Sequence, residues 1–110
     1  MNFKAFSLAA ALLLPFAATA ADIEAGKAKS QICQACHGAD GNGIGDPQYP
    51  LIAGQYADYL AKALRDYKSG VRNNAIMQGF ASTLSEDDIV NLAAFFASQP
   101  SKMRDLSGIN

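Results

Sequence analysis

The sequence predicts an all-α fold, three to four helices joined by loops, on three observations. Apolar residues recur at helical spacing between Gln55 and Ser69. A second apolar stretch opens with Ser85-Glu86-Asp87-Asp88 and closes at Pro100, so it carries a helix start and a helix stop. No run alternates apolar and polar residues as a half-buried strand would.

Taken in order, the chain begins Met1-Asn2-Phe3-Lys4, then runs apolar from Ala5 to Phe16 and ends that segment in Ala17-Ala18-Thr19-Ala20-Ala21. One positive charge, a short apolar centre and a small-x-small end predict a secretory signal peptide over residues 1–20, cleaved after Ala20 or Ala21. A retained membrane anchor is the competing reading. Pro15 interrupts the run, and the run is shorter than the ~20 residues a span needs. No cysteine near the cleavage site offers a lipid attachment point. Residues 21–110 then make one small domain without repeats, linkers or low-complexity tracts. Without Lys4 the chain has eight Lys and Arg against ten Asp and Glu, a net charge of −2. That balance argues against a nucleic-acid partner, and no basic run suits an anionic membrane surface.

Asp22 to Cys33 reads as the first helix, with Asp22 as N-cap and Glu24 in the first turn. Gly26 weakens it by about 1 kcal/mol relative to Ala. Either another helix crosses closely there or the glycine is simply tolerated. Next comes Cys33-Gln34-Ala35-Cys36-His37, a C-x-x-C-H pattern, which marks covalent haem attachment. Two thiols three positions apart can both reach one edge of a porphyrin, and the adjacent imidazole then lies under the iron. The chain's two cysteines and single histidine all fall in these five residues. Other readings of the pair are a thioredoxin-like dithiol, half of a zinc site, or a local disulfide with His37 as bystander. The first wants a βαβ context and the second four ligands. A domain of about 90 residues buries only roughly 60–65% of its unfolded surface. A large flat cofactor would supply apolar contact that the side chains lack, so the chain without it is expected to fold poorly.

Gly38 to Pro50 holds four glycines, two prolines and Asn42-Gly43, and reads as a loop able to wrap the edge of a flat group. In the helix from Gln55 to Ser69, the stripe Tyr56, Tyr59, Leu60, Ala63, Leu64 and Tyr67 is expected in the core, while Lys62, Arg65, Lys68 and Arg72 form a solvated face. Gly70 stops this helix. Val71 to Thr83 has no sustained period and is expected to be a loop. It contains Met77, whose thioether either ligates iron opposite a histidine or fills core volume. The last helix starts at a capping box of Ser85 and Asp88, with Leu84 and Ile89 as its hydrophobic staple. Ile89, Leu92, Ala93 and Phe96 form its apolar face, with Phe95 beside it. Residues 101–110 are expected to be a loosely held tail.

These motifs together resemble class I cytochrome c, the small bacterial monohaem kind, and look most like one half of a dihaem cytochrome c. The resemblance spans nearly all of residues 22–100. It rests on Gly26 before C-x-x-C-H, Gly38-Ala39-Asp40-Gly41, Pro50-Leu51-Ile52-Ala53-Gly54-Gln55, Ile76-Met77-Gln78-Gly79, Leu84-Ser85-Glu86-Asp87-Asp88-Ile89 and Leu92-Ala93-Ala94-Phe95-Phe96. It implies a small cytochrome c fold with helices and loops wrapped around one haem c. Cys33 and Cys36 form the thioethers, and His37 and Met77 are the axial ligands. Pro50 supplies the carbonyl that orients His37, and Gly26 and Phe95 mark the crossing of the first and last helices. With one C-x-x-C-H, the chain is expected to be monohaem unless it pairs with another chain. The expected role is a monomeric periplasmic one-electron carrier between redox protein partners, respiratory or periplasmic oxidoreductases, with no catalytic residue and no stable membrane insertion. A fixed haem subunit of an oxidoreductase complex is the alternative. A small peroxidase or gas sensor is a third reading, which lacks a second histidine to assist.

Overall fold

A computed structural model of the chain describes residues 1, 10–13, 15 and 20–103. The signal peptide expected over residues 1–20, and residues 104–110 of the expected tail, fall largely or wholly outside the described residues. Five helices are present: α1 (Ile23–Lys29), α2 (Gln31–His37), α3 (Ala57–Ser69), α4 (Ala75–Ala81) and α5 (Glu86–Ala97). There is no strand among the described residues.

The two helices beyond the expected minimum of three have local causes. The first is a break in the N-terminal helix. Asp22 caps α1, its carboxylate accepting the Ala25 N–H at 3.0 Å. Ser30 then ends the element early: its hydroxyl donates to the Lys27 carbonyl at 2.7 Å and its amide to the Gly26 carbonyl at 2.8 Å. A serine hydroxyl that takes a backbone carbonyl competes with the helical ladder. The chain restarts at once as α2 and carries helical geometry through both cysteines to His37.

The second is α4, which corrects the loop expected over residues 71–83. Asn74, part of the Asn-Asn pair that reads as a loop signal, is its N-cap: Oδ1 accepts the Met77 N–H at 3.0 Å. A seven-residue helix is too short to show a period. Packing against α3 and this cap sustain it.

Helix α5 is the spine of the fold. It packs against both α1 and α3. Ile89, Leu92, Ala93, Phe95 and Phe96 are buried with Leu60 and Ala61 of α3 and with Leu84. Adjacent Phe95 and Phe96 meet edge to face, with ring centroids 5.0 Å apart. Phe95 lies toward α1, and Phe96 toward the loop after α2. The α1–α5 crossing requires glycine: a Cβ on Gly26 would lie 2.1 Å from the Asn91 carbonyl oxygen. Asn91 Oδ1 also accepts the Asp22 N–H at 2.8 Å, tying the start of α1 to the same helix.

The capping box at α5 is complete. The Ser85 hydroxyl accepts the Asp88 N–H, and the Asp88 carboxylate accepts the Ser85 N–H, both at 3.0 Å. Leu84 and Ile89 flank it, 3% and 1% exposed, as a hydrophobic staple should be. The hydrogen bond from the Ser85 backbone, aided by Lys29 at 3.2 Å, holds the Asp88 carboxyl below the usual carboxylate range.

The tyrosine stripe on α3 departs from expectation. Tyr56 is 78% exposed and Tyr59 52% exposed, so neither is core. Leu60 of the expected stripe is buried, with Ala61 beside it. The cations on and after α3 are largely engaged: Lys62 with Asp66, Arg65 with Glu86, Lys68 with the Leu84 carbonyl, and Arg72 over the Tyr67 ring.

Gly26→Ala is expected to lower the unfolding free energy of the purified protein by about 3 kcal/mol, the upper end of overpacking costs. Gly79→Ala, where an added Cβ meets nothing within 4 Å, is expected to raise it by about 0.5–1 kcal/mol. Denaturant titration measures both. Asp88→Asn should destabilise most at neutral pH. A carboxyl with a lowered pKa stabilises the fold when ionised and loses that contribution as pH falls through the lowered value. The difference between variant and wild type should therefore shrink in acid, as read by unfolding at a series of pH values.

Candidate functional site

Three side chains at the end of α2 open the site. Cys33, Cys36 and His37 stand at i, i+3 and i+4, so helical geometry sets them on one face. All three line a cavity of about 390 Å³. Helix α3 contributes Tyr59, Leu60, Ala63, Leu64 and Tyr67 to its wall. The turn after α3 adds Arg72, α4 adds Ile76, Met77 and Phe80, α5 adds Leu92, Ala93 and Phe96, and the loop after α2 adds Pro50 to Ile52. Cys33, Cys36, His37, Pro50 and Met77, widely separated in sequence, thus share one cavity.

The loop between α2 and α3 sets the orientation of His37. The Gly41 carbonyl accepts both the Ile52 and Ala53 amides, at 2.8 and 3.0 Å. Gly41 has φ +82°, and a Cβ there would lie 2.8 Å from Phe96 Cδ1 and 3.0 Å from the Ala53 nitrogen. Only glycine meets both demands. The Gly54 amide donates to the Phe96 carbonyl at 2.9 Å, fastening the far end of the loop to α5. These ties bring the Pro50 carbonyl to 2.8 Å from His37 Nδ1. A carbonyl only accepts, so Nδ1 holds a proton and Nε2 is the ring nitrogen left to face a metal. His37 is 8% exposed. It is therefore a buried imidazole in fixed orientation, with one nitrogen available as a donor to metal.

The thiols suit attachment better than thiolate chemistry. Cys33 and Cys36 are both free, so they form no disulfide with each other. Burial pushes the Cys33 thiol up to about 11, so it is neutral at physiological pH. A redox dithiol needs the opposite shift. Among the described residues, no group of three or more His, Cys, Asp or Glu side chains is placed to hold a metal ion by itself. The donor set instead fits an iron porphyrin: two thiols for its edge, two neutral soft or borderline donors for its iron, and a mainly aliphatic and aromatic wall.

Sequence reasoning missed two groups of site residues. Tyr59 and Tyr67 belong to the cavity wall rather than the core, and Arg72, exposed as expected, also lines that wall. The i, i+4, i+8 spacing of Tyr59, Ala63 and Tyr67 was a visible signal for one stripe, but not for what that stripe faces. Asn42, unremarkable in sequence, is buried. Its Nδ2 donates to the Pro100 carbonyl at 2.8 Å and its Oδ1 accepts the Lys102 amide at 2.7 Å. It ties residues 100–102, including the first part of the expected tail, to the loop beside His37. The Asp40 carboxylate, hydrogen-bonded to Asn42, is held below its usual range by those bonds.

Comparison with known proteins identifies the family. The family model for cytochrome c matches residues 23–100. Cytochrome c4 of Pseudomonas aeruginosa is 46% identical over 87 residues, 79% of this chain and 43% of that protein. Cytochrome c-554(548) of Halomonas halodenitrificans is 43% identical over 83 residues, 73% of this chain and 99% of that protein. A thiosulfate dehydrogenase electron acceptor of Stutzerimonas stutzeri is 38% identical over 97 residues, 83% of this chain and 45% of that protein. Among solved structures, reduced cytochrome c4 from Pseudomonas stutzeri superposes with a TM-score of 0.70 at 41% identity, over 74% of this chain and 47% of that one. The chain therefore spans about half the length of the cytochrome c4 relatives it matches.

Proposed function

This chain belongs to the cytochrome c family, and from that premise we propose that it is a periplasmic one-electron carrier rather than an enzyme. In this reading Cys33 and Cys36 would hold one haem c through thioethers, and His37 and Met77 would ligate its iron. The observation that carries the reading is that these four side chains share one largely apolar cavity, with His37 Nδ1 hydrogen-bonded to the Pro50 carbonyl.

Haem c, when bound, supplies the Fe(III)/Fe(II) couple. The protein does the rest. Two covalent anchors on α2 prevent loss and fix the ring relative to His37. The Pro50 carbonyl sets the imidazole plane and raises its basicity. With His37 and Met77 both donating to the iron, oxygen, peroxide or substrate would find no place there. Little then has to move when an electron enters or leaves. The wall of Leu60, Leu64, Phe80, Leu92 and Phe96 excludes water, and with a thioether donor this favours the ferrous, less charged state.

Export of the chain, with residues 21–110 as the mature carrier, follows from the signal-peptide pattern. Among the described residues no helix is long and apolar enough to cross a membrane. Electron donor and acceptor are oxidoreductases of the same compartment, and the carrier works as a monomer. A second reading makes the chain a fixed haem subunit of an oxidoreductase complex. A solved thiosulfate dehydrogenase from Marichromatium purpuratum, which superposes over 81% of this chain and 21% of its own at a TM-score of 0.66, favours it. Size exclusion of native extract separates the two: elution at the size of the single chain supports the carrier, and co-elution with a larger catalytic chain supports the subunit.

Three measurements test the site. The purified wild type should be coloured, and acidified organic solvent should leave the pigment on the polypeptide. A colourless protein ends this reading. Met77→Ala should keep its covalent pigment, bind carbon monoxide in the ferrous form, and lose on the order of 0.1 V or more of midpoint potential, within the roughly 0.8 V that axial ligands span. An unchanged spectrum and potential would remove Met77 as a ligand. Cys33→Ser should cut the yield of covalently loaded protein severalfold, measured as pigment per polypeptide.

A further inference from the structure

The chain beyond α5 turns back over the loop beside His37, and one buried side chain holds it there. Asn42 is 8% exposed. Its Nδ2 donates to the Pro100 carbonyl at 2.8 Å and to the Asp40 carboxylate at 2.9 Å. Its Oδ1 accepts the Lys102 N–H at 2.7 Å. Both amide protons and the oxygen are therefore in use. The partners, two acceptors and one donor, fix which way the amide points. Ser101, between the two tail contacts, lies against Gly54, where an added Cβ would come 2.7 Å from the Ser101 Cβ. The backbone on either side of Asn42 is tied as well. The Gly41 carbonyl accepts the Ile52 and Ala53 amides just past Pro50, and the Gly43 amide donates to the His37 carbonyl at 2.7 Å. Asn42 thus stands between the two ends of the Pro50–His37 hydrogen bond.

We propose that Asn42 is a positioning residue for His37, and that residues 100–102 are the strap through which it acts. Its link to iron rests on the reading of His37 as an axial ligand; the latch itself is a property of the polypeptide. Residue 42 cannot rotate without moving the Gly41 carbonyl and the Gly43 amide together, and these carry the Pro50 and His37 ends of the loop. Held by the strap, the loop keeps the Pro50 carbonyl on Nδ1, and that contact sets the imidazole plane. Loss of the latch leaves the Pro100 carbonyl and the Lys102 N–H to find water, which then enters beside the loop. The chemistry demands an amide. A carboxylate has the same shape and still accepts the Lys102 N–H. It has no proton for the Pro100 carbonyl, and it meets the Asp40 carboxylate as a like charge. The segment after α5, far from His37 in sequence, is in this way part of the site.

The test is hydrogen exchange of the His37 Nδ1 proton, followed by NMR in the ferrous holoprotein for wild type, Asn42→Asp, Lys102→Pro and Lys102→Ala. The Leu92 amide, in the buried part of α5, is the internal reference for global opening. Asn42→Asp removes both side-chain donors at constant shape. Lys102→Pro removes the donor on the strap and leaves Asn42 intact. Lys102→Ala keeps that N–H and removes only the charge. Relative to the Leu92 amide, Nδ1 exchange should quicken on the order of tenfold in Asn42→Asp and Lys102→Pro, the equivalent of about one hydrogen bond. Lys102→Ala should match wild type. Equal quickening of both protons would mean a merely structural tie and overturns the proposal, as does unchanged Nδ1 exchange in Lys102→Pro. Lys102→Ala quickening as much as Lys102→Pro overturns it too, because charge would then be the cause. Should Asn42→Asp fail to accumulate, Lys102→Pro decides alone. Absence of covalent haem from the wild type would defeat the functional reading itself. Loaded proteins with invariant Nδ1 exchange would defeat only the role of Asn42.

Discussion

The hydrogen bond between the Pro50 carbonyl and His37 Nδ1 is the contact on which the site depends. It spans thirteen residues of chain rich in glycine and proline, a stretch with no helix of its own. Such a bond forms only if the loop is folded back by something else. Gly41 does this by accepting two amides from Ile52 and Ala53, and Gly54 does it by donating to α5. Asn42 adds a third tie through residues 100–102. A single 2.8 Å contact therefore summarises the closure of the whole loop, and it fixes which imidazole nitrogen is left to bind metal.

Helix α5 connects this loop to the rest of the fold. Its two adjacent phenylalanines lie toward different neighbours: Phe95 toward Gly26 of α1, and Phe96 toward Gly41 and the cavity. At both places a glycine is needed because backbone or ring atoms already occupy the space of a Cβ. Packing of this kind transmits position accurately, since close-packed interiors leave little slack. It explains how a small all-α domain with a short list of buried apolar residues can hold Cys33, Cys36, His37 and Met77 around one cavity.

That short list also explains why a cofactor belongs to the fold. Tyr59, Ile76 and Phe80 are 52%, 61% and 44% exposed in the polypeptide alone, yet all face the cavity. Apolar surface of this extent around a concave wall is unusual for a small soluble domain unless something covers it. A flat aromatic group seated there would bury these side chains and join the α3–α4 pair to α2. The cavity then acts as the second half of the hydrophobic core, which a chain of this length cannot build from side chains alone.

Local signals in the sequence determined the helical class, the C-x-x-C-H anchor, the α5 capping box and the end of α3 at Gly70. Each is written within a few residues, where propensity, capping and spacing act without help from distant chain. The same locality made the sequence mislead at Ser30, where a buried hydroxyl splits a helix, and at residues 75–81, where seven residues are too few to show a period. It placed Leu60 in the core correctly but could not show that Tyr59 and Tyr67 of the same stripe, and the exposed Arg72, line a cavity. Nor could it reveal that Asn42 holds residues 100–102. Those are matters of what lies opposite a side chain, and only the packing of α5 against α1, α3 and the glycine loop settles them. Burial and charge pairing are properties of neighbours brought together by folding, not of the residue alone.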